Sequence, residues 1–198
     1  MNFSIRTYCQ GDESKINAMF NEVFTQNRDI SHWYWKYGNN PYGSYCISIA
    51  VSDDGTLVAH FAGYPVKLCF YHTNSLNASE SVIYHMGDKM TQNRFRAVGF
   101  GKSALITKTF FHFKERFTTV DTAFLFGFVT RHSLRFGLLF LDYIAIEKVP
   151  YRRLDFEKLS GIAVSAFNRF LQQISVSEVS EIDETWSDFF HSVAPHYN

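Results

Sequence analysis

The residues best suited to chemistry are Gly99 and Gly101, with Arg96 ahead of them and Lys102 immediately after. They stand in the run Arg96-Ala97-Val98-Gly99-Phe100-Gly101-Lys102, between a β-rich stretch ending near Thr91 and a helical pattern expected to begin near Gly99. Glycines let a backbone approach a ligand closely and take conformations closed to other residues. The first turn of a helix leaves main-chain N–H groups without partners, and the helix dipole adds partial positive charge there. Together these features make a phosphate cradle, to which Arg96 and Lys102 add mobile charge. The same residues would equally serve an ordinary strand-to-helix turn, because short glycine motifs recur by chance. The run has neither the P-loop spacing to Gly-Lys-Ser/Thr nor the dinucleotide fingerprint.

The elements that must position this turn follow from periodicity. Phe3 to Cys9 reads as a first strand, and Ile16, Met19, Phe20, Val23 and Phe24 form the apolar stripe of a helix. The aromatic run Trp33-Tyr34-Trp35-Lys36-Tyr37 is closed by the loop residues Gly38 to Gly43. Tyr45 to Ser52 and Thr56 to Phe70 are strand-like and joined by Asp53-Asp54-Gly55, a hairpin signal. Ser81 to Thr91 is a further strand. After the glycine run, Ile106, Phe110 and Phe113 share a helical face, read as core together with Phe111. Thr122 to Val129 is a buried strand, Arg131 to Phe140 a short helix and Tyr143 to Val149 another strand. The order is a mixed α/β (α+β) chain with early antiparallel hairpins and a central crossover. Trp33 and Trp35 read as core, whereas Tyr37, Tyr42 and Tyr64 are candidate walls of a substrate pocket.

Composition removes several classes. The 198 residues are 46% hydrophobic and 19% charged, too apolar for a disordered chain and enough for a real core. The 19 basic and 19 acidic residues cancel, which argues against nucleic acid as the main partner. No apolar run reaches the roughly 20 residues of a membrane-spanning helix, and Met1 to Arg6 lacks the pattern of a secretory signal. The three cysteines, Cys9, Cys46 and Cys69, form neither a disulfide framework nor a metal-binding pair, so the expectation is a cytoplasmic protein without a metal.

The segment from Gly87-Asp88-Lys89-Met90-Thr91 through Gly101 resembles motif A of the GNAT superfamily of acyl-CoA-dependent N-acyltransferases. Two further segments resemble one branch of it, Trp33-Tyr34-Trp35-Lys36-Tyr37 with Asn40-Pro41, and Phe126-Gly127-Phe128-Val129-Thr130-Arg131-His132-Ser133. The resemblance covers Ser4 to Leu154. It implies a GNAT fold with a mixed sheet of about six to seven strands flanked by helices. It implies acetyl-CoA as co-substrate, held by Met90, Thr91, Arg96, Ala97, Val98, Gly99, Phe100, Gly101, Lys102 and Thr130. It also implies an acetyl transfer to a primary amine of a small molecule or sugar nucleotide, by direct attack in a ternary complex. By the same resemblance Asp88 stands at a frequent position of the general base, whereas His85 falls on the opposite face of a regular strand. The usual tyrosine acid is replaced by Phe136-Gly137, and Tyr143 lies farther on, so no acid is assigned. Those departures leave a non-catalytic CoA-binding or interaction module as the alternative.

The resemblance divides the chain into an acyltransferase domain, residues 1–154, and a C-terminal part, residues 155–198. The second part has helical spacing from Phe156 to Ile174, then a Ser/Glu-rich linker and an aromatic tail. An extra helix of this kind suits packing back on the sheet or a homodimer contact, and the tail resembles the bridge to a second lobe in longer relatives.

Overall fold

The computed structural model describes residues 2–71 and 78–146. The chain divides into two units, Met1–Ala145 and Ile146–Asn198. The helix expected from Phe156, the linker and the tail lie outside the described residues, as do the last three residues of the strand expected over Tyr143 to Val149; its first four, Tyr143 to Ile146, form no strand.

In chain order the elements are β1 (Phe3–Thr7), α1 (Glu13–Phe24), α2 (Ile30–Trp33), β2 (Ile47–Ser52), β3 (Leu57–Tyr71), β4 (Ala78–Thr91), α3 (Leu105–Phe117), β5 (Thr122–Phe126) and α4 (Arg131–Phe140). The sheet runs β1-β2-β3-β4-β5. Neighbours are antiparallel from β1 to β4, and β5 returns parallel to β4 after the α3 crossover. Among the described residues the sheet therefore has five strands rather than six or seven.

The hairpin between β2 and β3 follows from its turn chemistry. Gly55 takes φ 79°, and the Asp54 carboxylate accepts from Ser52 Oγ at 2.6 Å and from the Thr56 amide at 3.0 Å. β2 is buried on both faces. Ile47 and Ile49 join Ile16, Met19, Trp33, Tyr37 and Met90 on one side. On the other side Ala50 joins Val58, Ala59, Phe95 and Leu105. Packing on both faces leaves even its two serines, Ser48 and Ser52, buried.

The aromatic run sorts differently from the expectation for Trp35. α2 continues into a π-helical turn, Tyr34–Gly38. Residues two apart on a helix point to nearly opposite sides. Trp33 is thus fully buried, with Tyr37 one turn on at 1% exposure, while Trp35 is 68% exposed. The Phe-rich stripe divides too: Phe110 and Phe113 are core, and Phe111 lies at the surface.

Candidate functional site

Two neighbourhoods bring polar groups together, and both grow from the C-terminal half of β4. The first is a β-bulge. His60 faces Met90 and Ala62 faces Gly87, so Phe61 opposes both Asp88 and Lys89. Asp88 accommodates the extra residue in the left-handed region, at φ 49°. A bulge interrupts side-chain alternation. Consequently Asp88 and His85 reach the same side of the sheet, contrary to the regular-strand expectation. The His85 ring lies 4.8 Å from that of Tyr64, and the Asp88 carboxylate pairs with Lys36, whose Nζ is 5.9 Å from the same Tyr64 ring.

The surroundings of Asp88 are unusually complete. Its side chain is 6% exposed. Arg28 Nη1 donates to one carboxylate oxygen at 2.5 Å and Lys36 Nζ to the other at 2.8 Å. Arg28 is itself 4% exposed, held by Asn17 Oδ1 at 2.7 Å and stacked 3.6 Å from the Phe20 ring. His60 Nδ1 donates to the Asp88 carbonyl at 2.8 Å, leaving Nε2 buried without a partner among the described residues. Burial opposes ionisation of Asp88, but the charges of Lys36 and Arg28 outweigh it and hold the carboxyl below its usual range. Burial drives the His60 imidazole down to about 4, against the pull of Asp88, so it is neutral. A carboxylate held by two cations is a poor base. The two ion pairs weigh against the general-base role expected for Asp88.

His85 differs. It is half-buried, packed against Tyr64, Phe126 and Phe128, and its Nδ1 is buried without a partner. Burial, then the nearby Lys36 charge, lowers its pKa and favours the neutral ring. It also marks where β4 and β5 part: the parallel ladder ends at His85–Phe126, while β4 continues to Thr91. Met90 points into the core at 3% exposure, and Thr91 is half-buried.

The second neighbourhood is the turn after β4. An α-helix does not begin near Gly99. Two 3-10 turns, Asn93–Phe95 and Gly101–Ser103, intervene before α3 starts at Leu105. Gly99 takes φ 72° and Gly101 φ 58°. A Cβ on Gly99 would lie 2.3 Å from the Ser103 carbonyl oxygen, and one on Gly101 would lie 2.9 Å from the Phe140 ring. Here the glycines are required. The amides of Val98, Phe100 and Ser103 are consumed by local bonds. Those of Ala97, Gly99, Gly101 and Lys102 donate to no acceptor among the described residues. Arg96 and Lys102 are exposed, with Arg96 Nε reaching back to the Thr91 carbonyl at 3.4 Å, and Phe100 is 82% exposed. Thr130 caps α4, its Oγ accepting from the Ser133 amide at 3.4 Å.

Of the expected pocket walls, Tyr64 alone lines the cleft. The cleft is about 390 Å³ and is walled by His32, Trp35, Lys36, Asn39, Asn40 and Tyr64 among others. Tyr37 is core, because its helical offset from Trp33 carries it inward, and Tyr42 is 57% exposed outside the cleft wall. Trp35 and Lys36 were the pocket residues the sequence concealed; the helical offset between Trp33 and Trp35 was the signal for the first. Tyr143 occupies the space left by the missing α4 side chain. A Cβ on Gly137 would sit 2.1 Å from its ring, and its hydroxyl lies 3.7 Å from Met86 Sδ. Burial raises that hydroxyl to about 12, so it stays protonated. Among the described residues no group of three or more His, Cys, Asp or Glu side chains could hold a metal, and no helix is long and apolar enough to cross a membrane.

The fold is shared with solved structures. One is an acetyltransferase from Trypanosoma brucei, 14% identical over 78% of this chain and 100% of that one, TM-score 0.55. Another is the aminoglycoside N-acetyltransferase AAC(6')-Iy in complex with CoA, 13% identical over 77% of this chain and 95% of that one, TM-score 0.53. A third is glucosamine-6-phosphate N-acetyltransferase from Arabidopsis thaliana, 11% identical over 78% of this chain and 99% of that one, TM-score 0.51. The chain has the GNAT fold. No protein-family model and no curated protein matches it in sequence. At such low identity the GNAT fold is what is shared, and function has to be argued from the site.

Proposed function

We propose that the chain is an N-acetyltransferase that moves the acetyl group of acetyl-CoA to a primary amine of a small molecule, sugar nucleotides included. The observation that carries this reading is the set of unpaired amides at Ala97, Gly99, Gly101 and Lys102, placed directly after an open strand edge. Unpaired main-chain donors in a glycine turn suit a pyrophosphate, with the exposed side chains of Arg96 and Lys102 in the same turn; Thr130, exposed at the start of α4, is kept as a further contact. The unpaired edge of β4 beyond His85 offers N–H and C=O groups to an amide-bearing arm. The fold neighbour solved with CoA supports the same choice of co-substrate.

The amine must lose a proton to attack a thioester. Asp88 is occupied and His60 is fully buried, which leaves His85 to accept that proton, directly or through water. Direct attack fits better than an acyl-enzyme: burial pushes the Cys46 thiol up and away from the reactive thiolate, and neither of the exposed thiols, Cys9 and Cys69, is in the cleft wall.

Isothermal titration of acetyl-CoA and free CoA into the wild type and Gly99→Glu tests the reading. Micromolar binding that disappears in the variant supports it; no heat with the wild type overturns it. A second reading, a CoA-binding module without turnover, draws on the occupied Asp88. It predicts the same titration but no thiol release with any amine.

A further inference from the structure

We infer that the cleft beside Asp88 receives an anionic amine, with its carboxylate or phosphate on Lys36 Nζ and its flat or apolar part on the Trp35 ring. This rests on reading that cleft as the acceptor side of the acetyltransferase.

The charge balance of the cluster carries the inference. Arg28 and Asp88 are closed from solvent, with side chains 4% and 6% exposed, and they neutralise each other. Lys36 contributes a second cation to the same carboxylate, so the cluster retains one positive charge. Of the three, Lys36 alone lines the cleft, and its side chain is 21% exposed. An ammonium has three donors. One is committed to Asp88 Oδ1, and among the described residues Lys36 Nζ has no other acceptor. Low-dielectric walls strengthen the field of a cation that is neither fully hydrated nor fully paired. A ligand anion would complete it.

The rest of the lining fixes the ligand's size and character. A cleft of about 390 Å³ is suited to a molecule well above a bare phosphate. Trp35 is 68% exposed, an aromatic surface the core does not use. Asn39 and Asn40 add amide groups, although Asn40 already bonds the Pro65 carbonyl at 3.2 Å. The nearest carboxylate in sequence, Asp29, is exposed and engaged with the Ser31 amide at 2.7 Å, and it lies outside the cleft wall. From the cleft, Tyr64 leads to His85 and so to the point where β4 and β5 part.

The test uses the full chain without CoA and three probes of similar size: tyramine, tyrosine and O-phosphotyramine. Tryptophan fluorescence and titration calorimetry report binding, with Trp35→Phe assigning the quench. The expected result is binding of one anionic probe about tenfold or more tighter than tyramine, weakening with salt. Preference for tyrosine identifies a carboxylate beside the amine; preference for O-phosphotyramine identifies a distant phosphate. Lys36→Met should erase the preference and Lys36→Arg should keep it, which separates charge from folding, with circular dichroism checking both. Equal binding of all three probes, a preference that survives Lys36→Met, or no binding of any probe overturns the inference. A chain that binds CoA without anion preference keeps the acetyltransferase reading and loses this one. A chain that binds the anions but not CoA does the reverse.

Discussion

The glycine turn after β4 and the Asp88 cluster within it are adjacent in sequence and opposite in construction. The turn is exposed and built from main chain: its donors are amides, and its side chains Arg96, Phe100 and Lys102 stand in solvent. The cluster is buried and built from side chains, with Arg28, Lys36 and His60 converging on one residue from three other places in the chain. A main-chain site asks only that the backbone reach a shape, which glycine permits. A side-chain cluster asks that charges be neutralised where water cannot help. The first tolerates surface substitution and fails when a Cβ appears. The second fails when one partner is lost.

Four perturbations sharpen that contrast, taken from the largest effect down. Arg28→Leu leaves the buried Asp88 with Lys36 alone and should cost about 3–5 kcal/mol in urea unfolding, as broken buried pairs do. Arg96→Ala in the turn, by contrast, should leave unfolding unchanged and weaken CoA alone. A cost near zero for Arg28→Leu would show that the cluster is not the stabilising half of the pair.

The second perturbation is pH. The His60 imidazole takes a proton near 6.5 in the unfolded chain and only near about 4 in the native state. Its contribution is therefore complete above pH 6.5 and declines as the pH falls toward about 4, by about 3 kcal/mol at most. Unfolding of wild type and His60→Asn across that range should diverge, with the variant flatter. Parallel curves would refute the assignment. CoA affinity, read on the exposed turn, should not follow this profile.

Third, Gly99→Ala should cost about 1–2 kcal/mol, because a side chain at φ 72° meets the Ser103 carbonyl. Its effect on CoA binding should exceed its effect on the unfolding midpoint; the opposite ranking would make Gly99 a folding residue only. Last, Lys67–Glu80 is an ion pair at 2.6 Å whose side chains are 44% and 54% exposed. A double-mutant cycle there should give about 0–1 kcal/mol. A larger coupling would mean that burial does not separate strong pairs from weak ones in this protein.

Much of the scaffold was legible. The Asp54-Gly55 turn located the β2–β3 hairpin, and the short helix read over Arg131 to Phe140 is the span observed for α4. Those features depend on residues within a few positions of one another, which periodicity and turn chemistry report directly. The glycine turn was legible in place but not in form, because two 3-10 turns delay α3 to Leu105. Trp35 was misread because a helical offset, rather than residue type, decides which aromatic faces inward.

By itself the sequence determined the order of the elements, the site of the close backbone approach, and the balance of charge. The tertiary structure decided which groups surround Asp88. Its partners lie 60 and 52 residues away in the chain, and nothing in local pattern announces such a pairing. One extra residue in β4 then turned Asp88 and His85 to the same side. A bulge is a property of the register between two strands, so it exists only once both are in place.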